Sequence, residues 1–331
     1  MPESRMKRLY FFPPRPKGGY PNPYCLNFKH ALSQHYQVLD NGDSECGVSA
    51  LGLLRYSFRA DVYVLNWIEN MVFHRLGCLQ FAVAFLALCV ITVRRKPIVW
   101  VLHNIVPHQG HTFSTRFVYR FMFRYARLVI AHSREAEQYA VAHARGRVVY
   151  ECHPIVPIDV NPVQTDHHDL LIWGTIDPYK GVVEFISSKE VRDSQLDIMI
   201  AGRCKDKDLE RQIDALTNEH IRFENRRVSF DEIAGLVRNS RYVVFPYIGN
   251  SISSSGVLID TLVLGGTPIG PDKGAFRDLA DEGVCLIYRD FSHLLELVAQ
   301  HASLDDNRRA AFLANHTWKE FARHIHQILE S

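Results

Sequence analysis

An apolar run that breaks at a glycine and resumes as a helix behind a lysine is a way to hold phosphate. Leu171-Ile-Trp-Gly174-Thr175-Ile-Asp177-Pro-Tyr-Lys180-Gly181 has that form. Glycine lets backbone N–H groups approach an anion, a helix N-terminus carries partial positive charge, and Lys180 adds a mobile ammonium. A second cluster lies in the first half, where the strand-like run Pro97–Leu102 opens onto His103-Asn-Ile-Val-Pro-His108, with His111 close behind. An imidazole can take a proton near neutral pH, and ligands bind at the carboxyl edge of parallel sheets. His103 is the first choice for a site residue there, His108 the alternative base and His111 the third. The plain alternative for each is a hydrogen-bonded structural histidine.

The elements that must position these groups alternate. Strand patterns at Leu9–Pro13, Tyr36–Leu39, Ala60–Trp67, Pro97–Leu102, Leu128–Ala131 and Val148–Tyr150 are interleaved with helical ones. Ser133, with acidic residues behind it, reads as a helix cap. Residues 153–168, rich in Pro, His and Asp, read as a linker. The pattern then restarts with strands at Leu170–Trp173, Leu196–Ala201, Ile221–Glu224, Tyr242–Phe245, Thr267–Gly270 and Cys285–Tyr288. Two such runs predict an α/β chain of two Rossmann-like domains, each with a parallel sheet. The 331 residues suit two cores of about 150 residues each. A formal net charge of +2 argues against a general nucleic-acid binder. Seven cysteines without a CxxC pair fit a reducing, cytoplasmic compartment, and the N-terminus carries no signal-peptide pattern.

An ordered series of motifs adds a family resemblance. Gly174…Tyr179-Lys180-Gly181, Ile200-Ala-Gly202-Arg203, Val228-Ser-Phe-Asp-Glu, Phe245-Pro246 and Ser253-Ser254-Ser255-Gly256-Val-Leu-Ile-Asp260…Gly265-Gly266-Thr-Pro268 resemble the C-terminal half of GT-B glycosyltransferases. The likeness is to the retaining family-4 type of bacterial polysaccharide and glycolipid assembly. It implies an N-terminal acceptor domain (1–160), a C-terminal nucleotide-sugar domain (161–315) with a cleft between them, and a last helix (316–331) returning to the N-domain. The implied activity is transfer of a hexose from a UDP- or GDP-sugar to a glycan or lipid-linked acceptor in cell-surface polysaccharide assembly, retaining and without a metal or cofactor.

In that resemblance Lys180, with Gly174 and Thr175, meets the donor diphosphate, where leaving-group charge develops. Thr175 stands where the family often has arginine, and Arg203 is the substitute cation. Ser253, Ser254, Ser255 and Gly256 open a helix toward phosphate or sugar. Asp260 takes the place of the second glutamate of the family's Glu-x7-Glu motif and faces the ribose hydroxyls; the first glutamate's place is Ile252. Arg227 and Val228 fall where the nucleobase packs. In the N-domain Gly18-Gly19 matches the family's glycine loop, Asn22 and Tyr24 line the acceptor cleft, and Glu69 is a further carboxylate for an acceptor base. There is no Asp-x-Asp of the metal-binding kind.

Leu76–Val93 is almost wholly apolar and closed by Arg94-Arg95-Lys96. It approaches the length of a transmembrane helix, but it lies between two strands of one sheet, so a span is rejected. The expectation is a helix with one face on the sheet and another on the membrane surface, helped by the basic cluster and the arginine-rich helix 112–126. That makes the chain a peripheral protein of the inner face of the plasma membrane. Two other readings stay open: a sugar-nucleotide epimerase of the same fold, and a non-catalytic nucleotide-sugar-binding subunit.

Overall fold

Strands covered on both faces must be apolar along their length, and the runs 62–65 and Ile98–Leu102, buried at every position, are of that kind. The computed structural model describes residues 5–14, 22–39, 49–73, 76–105, 112–249 and 255–331. The chain divides into two units, Met1–Cys152 with Trp318–Ser331, and His153–Thr317.

In the first unit β1 (Arg8–Phe12), β2 (Gln37–Val38), β3 (Val62–Asn66), β4 (Ile98–Leu102), β5 (Leu128–Ala131) and β6 (Arg147–Tyr150) form one parallel sheet in the order β2-β1-β3-β4-β5-β6. Its register sets Phe12 beside Leu65, Leu65 beside Trp100, and Trp100 beside Val129. One face packs Tyr10, Tyr63, Leu65, Trp100 and Val129 against α2 (Ser49–Tyr56), α3 (Gly77–Val93), α4 (Phe113–Tyr125) and α5 (Arg134–His143). On the other face Phe11 meets Phe28 of α1 (Pro23–Leu32) edge-on at 5.3 Å. Ser133 caps α5 by accepting from Ala136 N, the cap that the sequence predicts.

The second unit repeats the plan. Its strands β7 (His168–Trp173), β8 (Ile198–Ala201), β9 (Ile221–Glu224), β10 (Ser240–Val244), β11 (Pro268–Pro271) and β12 (Leu286–Tyr288) run parallel in the order β12-β11-β10-β7-β8-β9. Between and beyond them lie α6 (Val182–Ser187), α7 (Lys189–Asp193), α8 (Lys207–Asp214), α9 (Phe230–Arg238), α10 (Gly256–Val263), α11 (Gly274–Asp281), α12 (Phe291–Ala299) and α13 (Asp306–Asn315). The helices α2, α7 and α13 have no counterpart in the sequence reading.

The last helix, α14 (Trp318–Glu330), belongs to the first unit. Trp318, Phe321, Ala322, Ile325, Ile328 and Leu329 form its buried stripe, at spacings of three and four. Phe321 packs on Phe28 at 4.9 Å and Trp318 on Tyr24 at 5.0 Å, both from α1. His324 bonds Glu151, His326 Nδ1 bonds the Tyr36 hydroxyl at 3.0 Å, and Lys7 pairs with Glu330 at 2.7 Å.

Glu69 is not at the open sheet edge, as expected of an acceptor base, but in the core. It lies on a 3-10 turn (Ile68–Phe73) after β3 and is 2% exposed. Burial pushes its carboxyl up to about 7. The Trp100 indole N–H approaches and lowers it a little, yet the pair falls short of hydrogen-bond geometry, so among the described residues Oε2 and the Trp100 nitrogen both lack a partner. A carboxyl whose folded pKa is raised costs nothing below its unfolded value, and its cost is complete above the folded one. Glu69→Gln is therefore expected to leave stability at pH 4 nearly unchanged and to raise it at pH 8 by about 3 kcal/mol, read from urea titrations at the two pH values.

Candidate functional site

In a doubly wound sheet the crevice opens at the carboxyl ends of the two strands where the winding reverses. In the second unit those strands are β7 and β10, paired Leu170 to Tyr242. β7 ends in Gly174 (φ 97°), and a 3-10 turn (Pro178–Lys180) closes on Gly181 (φ 65°) before α6. A Cβ on Gly181 would sit 2.2 Å from Pro246 O, beyond the end of β10. A Cβ on Gly202 would sit 1.8 Å from Gly174 O, so the loops after β7 and β8 also touch backbone to backbone. Gly174 N donates to Ala201 O, and Ile176 N to Arg203 O.

This packing turns Lys180 inward. It is 4% exposed, and its Nζ lies 3.5 Å from the point that a Cβ on Gly174 would occupy. Val257, in the first turn of α10, comes within 3.0 Å of the same point. Lys180 Nζ makes no hydrogen bond or ion pair among the described residues; the Tyr247 ring centroid is 5.8 Å away. Burial pulls its ammonium down to about 8, with Asp177 acting weakly the other way. Above it Ser255 caps α10, accepting from Leu258 N at 3.3 Å, and among the described residues no atom beyond its own helix and chain neighbours lies within 4 Å of a Cβ built on Gly256. The Trp173 indole fixes α10 to the end of β7 through Thr261 Oγ1 at 3.0 Å. A buried cation beside an open helix N-terminus is suited to a phosphate.

The other residues of this half lie at different distances from that point. Asp260, one turn along α10, is half-buried; its carboxyl makes no hydrogen bond among the described residues, and burial raises it to about 6. Thr175 and Arg203 are exposed on the adjoining loops, Arg227 is exposed and Val228 half-buried. Arg226 is bound to Glu224 at 2.6 Å and to Glu232. Ser253 and Ser254 fall outside the described residues.

In the first unit the reversal lies between β1 and β3. Asn66 Nδ2, at the end of β3, donates to Phe12 O at the end of β1 (3.0 Å), which turns its Oδ1 toward His103 Nε2 at 3.2 Å. His103 therefore carries its proton on Nε2, and Nδ1 is the basic nitrogen of the neutral ring. Its ring stacks on Trp67 at 3.9 Å, with Tyr24 edge-on at 5.1 Å. Beside it His132 Nδ1 donates to Glu151 O and Nε2 receives the Tyr24 hydroxyl, each at 2.7 Å. Burial pushes the Tyr24 phenol up, so it stays a donor. Asn22 acts as the cap of α1, accepting from Tyr24 N. His108, His111, Gly18 and Gly19 fall outside the described residues. Among the described residues no three His, Cys, Asp or Glu side chains gather as metal ligands.

Sequence reasoning missed the tautomer-fixing role of Asn66, the Trp67 stack, the His132–Tyr24 pair, and Tyr247 beside Lys180. The one available signal was that Asn66 and Trp67 end one predicted strand and His132 follows directly on another.

With this geometry in view, the chain can be set beside known proteins. No family model matches it. Solved structures align along nearly its whole length: Anabaena HepE in complex with UDP (TM-score 0.63, 18% identity, 98% of this chain and 100% of that one) and the sucrose-phosphate synthase of Thermosynechococcus elongatus (TM-score 0.69, 13% identity, 98% of each). The fold is therefore GT-B, two Rossmann-like units with a C-terminal helix packed on α1. In sequence the chain is similar to a GDP-mannose:glycolipid 4-beta-D-mannosyltransferase of Xanthomonas campestris pv. campestris, 25% identical over 235 residues. That match takes in 68% of this chain and 65% of the relative, just under two thirds of its length.

Lys180→Met separates binding from stability. Below pH 8 the folded state holds the ammonium against its burial, and that cost fades as pH rises from 8 toward the ordinary value of 10.5. The variant is expected to be more stable at pH 7 by up to about 3 kcal/mol while binding nucleoside diphosphates roughly 10- to 100-fold more weakly. Denaturant titration and calorimetry check the two halves. Wild-type affinity is expected to fall as pH rises through about 8.

Proposed function

We propose that this chain is a glycosyltransferase that moves a sugar from a nucleotide diphosphate sugar to a glycan or lipid-linked acceptor. The observation that carries the reading is Lys180: a buried ammonium in no ion pair among the described residues, set between the Gly174 turn and the N-terminal turn of α10. A protein keeps such a charge out of water at a cost, and an incoming diphosphate offsets it. In this reading Lys180 and the α10 N-terminus hold the diphosphate, Arg203 and Thr175 flank it, Asp260 accepts from the ribose hydroxyls, and Arg227 and Val228 adjoin the base.

Transfer breaks the bond between the anomeric carbon and the diphosphate oxygen and forms one to an acceptor hydroxyl oxygen. The diphosphate leaves with the electron pair, where Lys180 stabilises its charge. The hydroxyl proton goes to the His103 imidazole, which the Asn66 contact orients. His108 is the alternative base in this reading, and Gly18, Gly19, Asn22 and Tyr24 are assigned to the acceptor side. The relatives support a nucleotide-sugar donor: HepE has been captured with UDP-glucose, and the Xanthomonas enzyme is named for GDP-mannose and a glycolipid. We carry a retaining outcome from the family resemblance. The Xanthomonas relative is a beta-transferase by name, and the anomeric configuration of the product, read by NMR, decides between the outcomes. Polysaccharide assembly at the cytoplasmic face of the membrane is the setting that this reading implies.

The test is a panel of UDP-, GDP- and ADP-sugars incubated with the protein, with and without membrane extract. Transfer or slow hydrolysis of one donor is expected. Isomerisation of the free donor without acceptor would make the chain an epimerase, and binding with neither reaction a non-catalytic subunit. His103→Ala is expected to lower transfer about 10²- to 10⁴-fold with donor affinity within a factor of two or so.

A further inference from the structure

The turn after β3 holds a residue that a turn alone does not call for. Trp67 is the first residue past the strand, and its backbone is left-handed (φ 48°). A side chain as bulky as an indole is strained there, where glycine or asparagine sits at little cost. Both neighbours pin it. Asn66 is buried and bonded to Phe12 O, Ile68 is buried in the core, and Asn70 N closes the turn on Trp67 O at 3.0 Å. The indole itself is only half-buried, so core filling is not its reward.

What it gains is His103. Asn66 pairs with Val101, so Trp67 leaves β3 beside the point where His103 leaves β4. The two ring planes are 13° apart and their centroids 3.9 Å, a parallel stack. Tyr24 of α1 meets both rings edge-on, at 5.8 Å from the indole and 5.1 Å from the imidazole. His132, past β5, lies 5.7 Å from the imidazole at 50° and does not stack. Asn66 therefore holds the imidazole within its plane, and Trp67 holds it across that plane. The titratable groups facing the pair are Tyr24, whose phenol burial keeps neutral, and His132; the Glu69 carboxyl, two residues on, turns into the core toward Trp100. An aromatic face carries negative potential and attracts a cation laid upon it. A neutral imidazole gains little from such a face, and an imidazolium gains more.

We propose that Trp67 is a positioning residue for His103: its indole sets the plane of the imidazole and stabilises the imidazolium that forms when the acceptor proton is taken up. This rests on the reading of His103 as the base. In the transfer step the acceptor O–H bond breaks, its electron pair stays with the oxygen, and that oxygen bonds the anomeric carbon. The proton passes to an imidazole lone pair, and the diphosphate leaves with the electrons of the bond that it loses. The positive charge so created lies against the indole face. A strained backbone at a site edge is the kind of feature that function sustains.

Two measurements on the full chain test this, and one needs no substrate. A protonated imidazole quenches the fluorescence of an indole stacked on it. The protein has four tryptophans, and the emission difference between wild type and Trp67→Phe isolates this one. That difference is expected to shrink as pH falls through the range where imidazole titrates, and the transition is expected to vanish in a His103→Gln background. With a donor that supports transfer, kcat/KM is then followed against pH. The neutral imidazole accepts the proton, so the rate falls on the acid side. Loss of the stack disfavours the imidazolium, so Trp67→Leu is expected to move this acid limb down by roughly half a pH unit. Its plateau kcat is expected to fall about 10-fold, with the donor KM within about a factor of two. Trp67→Phe keeps an aromatic face and restores most of both. Trp67→Gly relaxes the backbone while removing the ring, and is expected to match Trp67→Leu in the rate profile even where leucine unfolds the turn. An emission difference that is flat with pH, or unchanged by His103→Gln, overturns the proposal. So does an acid limb that stays in place when the ring is removed, or a Trp67→Phe no better than leucine. If transfer proceeds without the quench, only the role of Trp67 is lost. If the quench is seen and no donor is turned over, the glycosyltransferase reading fails and takes the assistance to proton transfer with it.

Discussion

The pairing of β7 with β10, and of β1 with β3, is the constraint on which the rest depends. In a parallel sheet every strand delivers its following loop to the same edge, and where the winding reverses two neighbouring loops leave in opposite directions and open a crevice. Gly174 and Pro246 follow the strands at one reversal, Pro13 and Trp67 those at the other. Shifting either pairing by one residue would turn Leu170 or Leu65 to the wrong face of its sheet. The core therefore fixes the site edges: the apolar side chains that lock the register also determine where Lys180 and His103 emerge.

Burial is used differently at the two edges. In the second unit it isolates a charge, and the isolation depresses the Lys180 ammonium and lifts the Asp260 carboxyl. Both shifts come from lost hydration rather than from a charged partner, so both groups are poised to gain from a polar ligand. In the first unit burial orders a hydrogen-bond chain. Phe12 O fixes Asn66, Asn66 fixes the His103 tautomer, and Glu151 O with Tyr24 fixes that of His132. Glu69 is the exception, a carboxyl enclosed with an indole that does not quite reach it.

Much of this was legible in the residues. The strand–glycine–lysine–glycine order announced the turn at Gly174, because few backbones other than a tight turn need glycine at both ends of so short a segment. The apolar runs gave the strands to within a residue or two, since a strand buried on both faces has no polar positions to blur its ends. What was not legible came from side chains that act across strands. That Asn66 would hold His103 depends on β3 lying beside β4, which spacing along the chain does not reveal. Glu69 follows a strand end just as His103 does, and only the 3-10 turn sends it into the core. The basic cluster at 94–96 looked like a surface patch, yet the carbonyls after α2 and the Asp61 carboxylate draw two of its three members into the fold.

The return of α14 to α1 has a consequence for how the molecule comes into being. The face of α1 that carries Tyr24 and Phe28 is closed by Trp318 and Phe321, which leave the ribosome only after the whole second unit has been made. The first unit thus stays unfinished through most of translation, with an aromatic surface bare and the Tyr24–His132 contact unsupported. The order of synthesis is thus the reverse of the order of packing: everything in the second unit is made before the helix that closes the first.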